Sequence, residues 1–186
     1  MEIKNWSEQE RLEFLNQEFD QIFLNNCIAK PHPDNFDFNA ELYFENCKIK
    51  SFGLVMVYTV GRIEFNNCSF EEINCIAPMF AGGFVMRNCR VEGEAIFDAG
   101  AHNRAPNKFI IDSCMFKDYV DFFDVQFDGP VKISNNKFLK GSNLCIYLAP
   151  PLGILAGQEV LIENNTGDLF LYREDDPMKP KTKPNN

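Results

Sequence analysis

An all-β solenoid, a right-handed parallel β-helix of about seven coils with an N-terminal capping helix, is the fold class that three features of this sequence predict. A six-residue phrase returns seven times, apolar residues stand two apart within each copy, and the fifth place is nearly always Asn. The copies are Ile22–Cys27, Leu42–Cys47, Ile63–Cys68, Phe84–Cys89, Phe109–Cys114, Val131–Asn136 and Val160–Asn165, and their last residues lie 20, 21, 21, 25, 22 and 29 positions apart.

The first element is the proposed cap. Ser7 and Glu10 have capping-box spacing, and Leu12, Phe14, Leu15 and Phe19 give a partial helical stripe, which predicts a helix over 7–18 within an N-terminal segment 1–21. A lid is needed because an open β-helix end exposes unpaired strand edges. The solenoid itself is placed at 22–172. In each copy the apolar first and third residues point to one face and the intervening polar ones to the other, the period of a strand.

At the fifth place stand Asn26, Asn46, Asn67, Asn88, Ser113, Asn135 and Asn164. Asn tolerates the left-handed backbone better than other non-glycine residues, so each strand is expected to turn a corner there. The sixth residue then faces inward and stacks on its counterparts, Cys in five copies and Asn136 and Asn165 in the last two, an asparagine ladder. Two places on come Ala29, Ile49, Phe70, Val91, Phe116, Phe138 and Gly167, mostly apolar, as a second short strand requires. Parallel strands stack about 4.8 Å apart, so seven coils would form a rod on the order of 34 Å long. The right-handed sense follows from the general preference of parallel crossovers. From Arg173 to Asn186, repeated Pro and Lys without apolar period predict a disordered tail.

Composition agrees with one domain: 186 residues at 45% apolar content can bury a core, and 19 Phe against one Trp suits stacked aromatic columns. No 18-residue apolar run and no basic head followed by an apolar stretch are visible, so neither a membrane span nor a secretory signal is expected. Five of seven Cys occupy one repeat position, which points to reduced packing thiols and a cytoplasmic setting rather than a disulfide scaffold. With two His and no C-x-x-C, neither a metal nor another cofactor is expected.

Longer coils send their extra residues into loops, where solenoids carry contacts. The 25-residue step holds a polar excursion with Asp98, His102 and Arg104 as candidate loop contacts. The 29-residue step is apolar, and its Leu148, Leu152, Ile154 and Leu155 either fold back over the last coil or meet a partner, a homodimer through the C-terminal end included. Asp118, Asp121, Asp124 and Asp128 fall within eleven residues and are the candidate partner-binding acidic face. The bend after Phe122 is expected to scatter them over different faces, which disfavours a cation site or a catalytic pair.

The stretch 120–138, with inward apolar residues at 122, 127, 133 and 138, resembles degenerate pentapeptide repeats, which implies a square right-handed β-helix. The Asn-Asn and Asn-Cys turns are equally similar to pectate-lyase-like three-sided helices. The first resemblance implies an acidic rod that binds protein, and the second a carbohydrate-active enzyme or polysaccharide-binding protein.

Formal charge is −9. Residues 92–128 hold eight acidic and three basic residues, net −5, a surface that repels nucleic acid and anionic membrane and attracts basic proteins. The expected function is therefore a non-catalytic protein-binding scaffold, with toxin neutralisation (immunity) or enzyme protection as its specific forms. The carbohydrate-active enzyme is the alternative, and a structural module of a larger assembly is a third reading. No catalytic residues are assigned, because neither a Gly-rich phosphate loop nor a nucleophile elbow appears.

Overall fold

Seven parallel strands form the first wall of the rod: Arg11–Leu15, Glu41–Glu45, Ile63–Asn66, Phe84–Arg87, Phe109–Asp112, Val131–Ser134 and Val160–Glu163, hydrogen-bonded in that order. The computed structural model describes residues 11–25, 37–148 and 159–174 together with Asp176, Pro177 and Lys179. Every pairing is parallel, and the residue two before each corner lies over its counterpart: Phe14 over Phe44, Phe44 over Phe65, then Met86, Ile111 and Ile133. The chain is a parallel β-helix, right-handed as parallel crossovers are.

Each first-wall strand ends in a left-handed corner, at Asn16, Asn46, Asn67, Asn88, Ser113, Asn135 and Asn164, with φ between 53° and 59°. The chain then enters a second sheet, built on Glu18–Asn25, Lys48–Val55 and Ser69–Ile76 and continued by shorter strands in later coils. A second left-handed corner leaves this sheet at Met56, Ala77, Ala99 and Asp124, where no Asn marks it. The third side is slight: Asp37–Phe38 pairs with Tyr58–Thr59, and single bridges join Tyr58 to Met79 and Arg104 to Asp128.

Three expectations are corrected. Arg11–Leu15 is a strand and not part of a capping helix; Leu12 and Phe14 face the core as in any other copy, and Leu15 faces solvent. Ser7 and Glu10 lie outside the described residues. Accordingly Ile22–Asn25 is not the first copy of the phrase but a second-sheet segment, in register with Phe52–Val55. Its apolar-x-apolar pattern suits either wall, and only pairing distinguishes them.

The count of about seven coils is also revised. Residues 41–59, 63–79, 84–104 and 109–128 have pairing strands or bridges on all three sides, about four complete turns. Beyond them the one-turn helix Leu144–Tyr147 replaces a second-sheet strand, and the Val160–Glu163 rung is followed only by the bridge of Thr166 to Lys137.

The interior is aromatic. Stacked pairs Phe14–Phe44 and Phe44–Phe65 have ring centroids 4.8 and 4.9 Å apart, the spacing of adjacent rungs, so ring stacking and strand pairing reinforce one another. Phe97–Phe122 and Phe116–Phe138 continue the pattern on the second sheet.

The sixth-position column works as the sequence implies, with an added role. Cys47, Cys68 and Cys89 each direct Sγ to a carbonyl of the preceding coil, Phe14, Phe44 and Phe65, at 3.3, 3.5 and 3.6 Å. Asn136 and Asn165 do the same with Nδ2, to Ile111 and Ile133, both at 2.8 Å. Cys and Asn are interchangeable here because each offers a donor and an acceptor on a short side chain.

Candidate functional site

The second sheet contains a one-residue irregularity that shapes the surface. Arg90 and Val91 pair with Ser69 and Phe70, whereas Ala95 pairs with Ile73, so the register slips by one between them. The extra residue is accommodated at Gly93, where a Cβ would meet the carbonyl oxygen of Glu71 at 2.7 Å. The slip sets Glu94 on the rung beside Glu72; the amide of Ile73 donates to the Glu94 carbonyl at 3.1 Å.

Glu71, Glu72 and Glu94 are all exposed. Glu72 and Glu94 enter no side-chain hydrogen bond or ion pair among the described residues, and Glu71 has only a through-space attraction to Lys50. Nearby Glu92 is neutralised, held below the usual carboxylate range by hydrogen bonds from Arg90 and Lys117. Glu94 belongs to the acidic segment 92–128 seen in the sequence. Its alliance with Glu71 and Glu72 was not legible, because it depends on the slip.

The four aspartates named from the sequence do not share one face. Asp118 accepts from Lys140 Nζ at 2.9 Å and from the Tyr119 amide at 2.8 Å, and these bonds hold its carboxyl below the usual range. Asp121 is buried: Oδ1 accepts from Asn143 Nδ2 at 2.6 Å and from the Phe123 amide at 2.9 Å, and Oδ2 accepts from Arg173 Nη1 at 3.0 Å. Asp124 occupies the second corner and is exposed. Asp128 meets His102, Oδ2 to Nδ1 at 3.0 Å.

Arg173 and Asp176, placed in a disordered tail by sequence, are docked. Tyr147 donates to Asp176 Oδ1 at 2.7 Å, and Tyr119 donates to the Leu171 carbonyl at 2.6 Å, so the segment lies as a strap over Asp121. A charged strap needs buried partners, and these come from strands distant in sequence.

The polar loop divides as well. His102 faces Asp128, while Arg104 places its guanidinium 5.3 Å from the centroid of the Tyr58 ring, a cation–π contact. Asp98 instead ends a second-sheet strand with Oδ1 buried and unbonded; burial first, then the charges of Asp121 and Asp124, push its carboxyl above the usual range, opposed by Arg173. Among the described residues, Cys47, Cys68, Cys75, Cys89 and Cys114 are packed in the core.

Of the apolar segment, Leu148 is buried against the core; Leu152, Ile154 and Leu155 lie outside the described residues. Among the described residues no three His, Cys, Asp or Glu side chains are grouped as a metal would need, and no helix is long and apolar enough to cross a membrane. No protein-family model matches this chain, and neither does any curated protein or solved structure.

Proposed function

We propose that this protein is a non-catalytic binding scaffold whose rigid rod offers the acidic edge Glu71, Glu72 and Glu94 to a basic protein surface. The observation that supports this reading is that three exposed carboxylates gather where the slip brings the Glu94 backbone against Ile73, the residue after Glu72. Like charges on neighbouring rungs destabilise a sheet, and no side-chain hydrogen bond or ion pair among the described residues relieves Glu72 or Glu94. A partner carrying Lys or Arg would relieve them, and would be steered by the overall negative charge. The buried thiol column supports a reducing, cytoplasmic setting. Neutralisation of a toxin or protection of an enzyme is the specific form this scaffold takes, in the manner of pentapeptide-repeat-like acidic rods.

The test is affinity capture with the intact protein at low and high salt, beside the double variant Glu72→Lys/Glu94→Lys, followed by reconstitution with the purified candidate. A stoichiometric basic protein retained at low salt, released by salt and lost with the double variant is the expected result. Retention unaffected by charge reversal sinks the acidic edge. Cleavage or binding of a sugar polymer, with no protein retained, transfers the reading to a carbohydrate-active protein.

A further inference from the structure

On the first wall, away from the acidic edge, three cations from three successive coils converge. Arg62 precedes the strand Ile63–Asn66, Arg87 ends Phe84–Arg87, and Lys108 precedes Phe109–Asp112. They line a groove of about 190 Å³ whose floor is Val85 and Ile110. Both floor residues point away from the core, yet Val85 is only 4% exposed, because the side chains and loop around the groove enclose it.

The far wall is the polar excursion itself, through Pro106 and Asn107. It is anchored at both ends of its turn: Asn107 Nδ2 donates to the Ala81 carbonyl at 2.8 Å, and Asn103 Nδ2 donates to the carbonyls of Asn107 and Pro130 at 3.0 and 2.8 Å. Asn103 also accepts from the Gly129 amide at 3.1 Å. The wall is thus held by side-chain amide hydrogen bonds before any ligand arrives, which lowers the ordering cost of binding.

Two carboxylates belong to the groove's surroundings, Glu64 and, on the rung beside Arg87, Asp112, which lies 4.0 Å from Lys132 Nζ. Glu64 pairs with Arg87 Nη1 at 3.0 Å and with Arg62 Nη1 at 3.6 Å. Lys108 has no ion pair or side-chain hydrogen bond among the described residues. With Lys132 on the rung beside Ile110, four cations against these two carboxylates leave a local charge of +2 in a chain whose total is −9. Such a reversal is not needed for solubility.

We infer that this groove binds a small phosphate monoester, with the phosphate between Arg62, Arg87 and Lys108 and its organic body on Val85 and Ile110. A monoester carries about −1.5 to −2 charges at neutral pH, which matches the local excess. Guanidinium groups present planar forks of N–H donors to phosphate oxygens, and lysine adds a compact charge. The site is independent of the proposed protein-binding edge and stands on a different wall.

The experiment is a titration of isotopically labelled protein with phenyl phosphate at low ionic strength, following the amides of Val85, Arg87, Lys108 and Ile110. Saturable shifts confined to these residues are expected. Affinity should fall roughly tenfold for methyl phenyl phosphate, a monoanion of similar body, and again for Lys108→Gln, as loss of one charge-assisted contact implies. Lys108→Glu, at an exposed side chain that the fold does not use, should abolish binding while leaving the remaining spectrum unchanged. Shifts that do not saturate, or that survive Lys108→Glu, overturn the site. Equal affinity for the diester overturns the charge argument, and equal affinity for inorganic phosphate overturns the role of the apolar floor.

Discussion

Asn165 Oδ1 accepts the backbone N–H of Asn136 at 3.0 Å, and Asn136 Oδ1 in turn accepts that of Cys114 at 2.8 Å. The same relation holds one chemistry lower in the rod, where the backbone N–H groups of Gln17, Cys47 and Cys68 bond to the thiols of Cys47, Cys68 and Cys89. One side chain per coil therefore satisfies a corner amide of its neighbour and reaches a carbonyl of the same coil. The column is a hydrogen-bonded spine as well as a packing core.

Asn136→Ala should consequently cost about 3 kcal/mol, since it leaves the buried Cys114 amide without its partner and removes the bond to the Ile111 carbonyl. Asn136→Cys should cost only about 1 kcal/mol, because a thiol keeps both contacts in weaker form. Urea unfolding of the two variants separates the cases; equal losses would mean that volume, not bonding, matters at this place.

The spine thiols should resist modification. The hydrogen bond with Cys89 and then burial push Cys68 far up; the bond with Cys114 does so for Cys89, and burial alone for Cys75. Among the described cysteines Cys145, only partly buried, should react first with a maleimide at pH 8. The other five should follow only at the rate of global unfolding, which mass spectrometry of timed samples would reveal. Rapid labelling of Cys68 or Cys89 in the native state would contradict the buried column.

Two aspartates should give opposite pH dependence. Asp98 has a raised folded pKa, so stability is lost as pH rises from the unfolded value through the folded one. Asp98→Asn should raise the unfolding midpoint at pH 7 and change it little at pH 3. Burial acts against Asp112, but hydrogen bonds from Ser134 and Asn135 and the charge of Lys132 outweigh it and hold its carboxyl low. Its contribution is present above the unfolded value and lost as pH falls through the folded one, so Asp112→Asn should be destabilising at pH 7 and nearly neutral in acid. Urea midpoints measured across this range check both signs.

The corners can be tested by residue type. Asn67 sits at φ 53°, so Asn67→Val should cost about 1 to 2 kcal/mol and Asn67→Gly distinctly less. Ala77 holds φ 49° without a side chain suited to it, so Ala77→Asn should instead stabilise the fold, by about 0.5 to 1 kcal/mol. Thermal midpoints of the three variants decide; equal values for Val and Gly at position 67 would remove the strain argument.

Much of this fold is local and was therefore legible. Apolar residues two apart, an Asn that tolerates positive φ and a small donor-acceptor residue after it are properties of six consecutive positions. They specify the first wall from Glu41 onward, its corners and its inward column. Tertiary structure alone decided where the pattern begins and what the surface does. Leu12–Gln17 follows the phrase with Gln in the last place, and only pairing with Glu41–Glu45 shows it to be the first rung. The second corner is built from Met56, Ala77, Ala99 and Asp124, which share a backbone conformation and no chemistry. The slip at Gly93 joins Glu72 to Glu94, and the strap brings Arg173 to Asp121 across 52 positions. The groove gathers Arg62, Arg87 and Lys108 from three coils. Periodicity tells which way a residue points, because that depends on its neighbours in the chain. It cannot tell which residues of other coils stand beside it, because one inserted residue changes the answer.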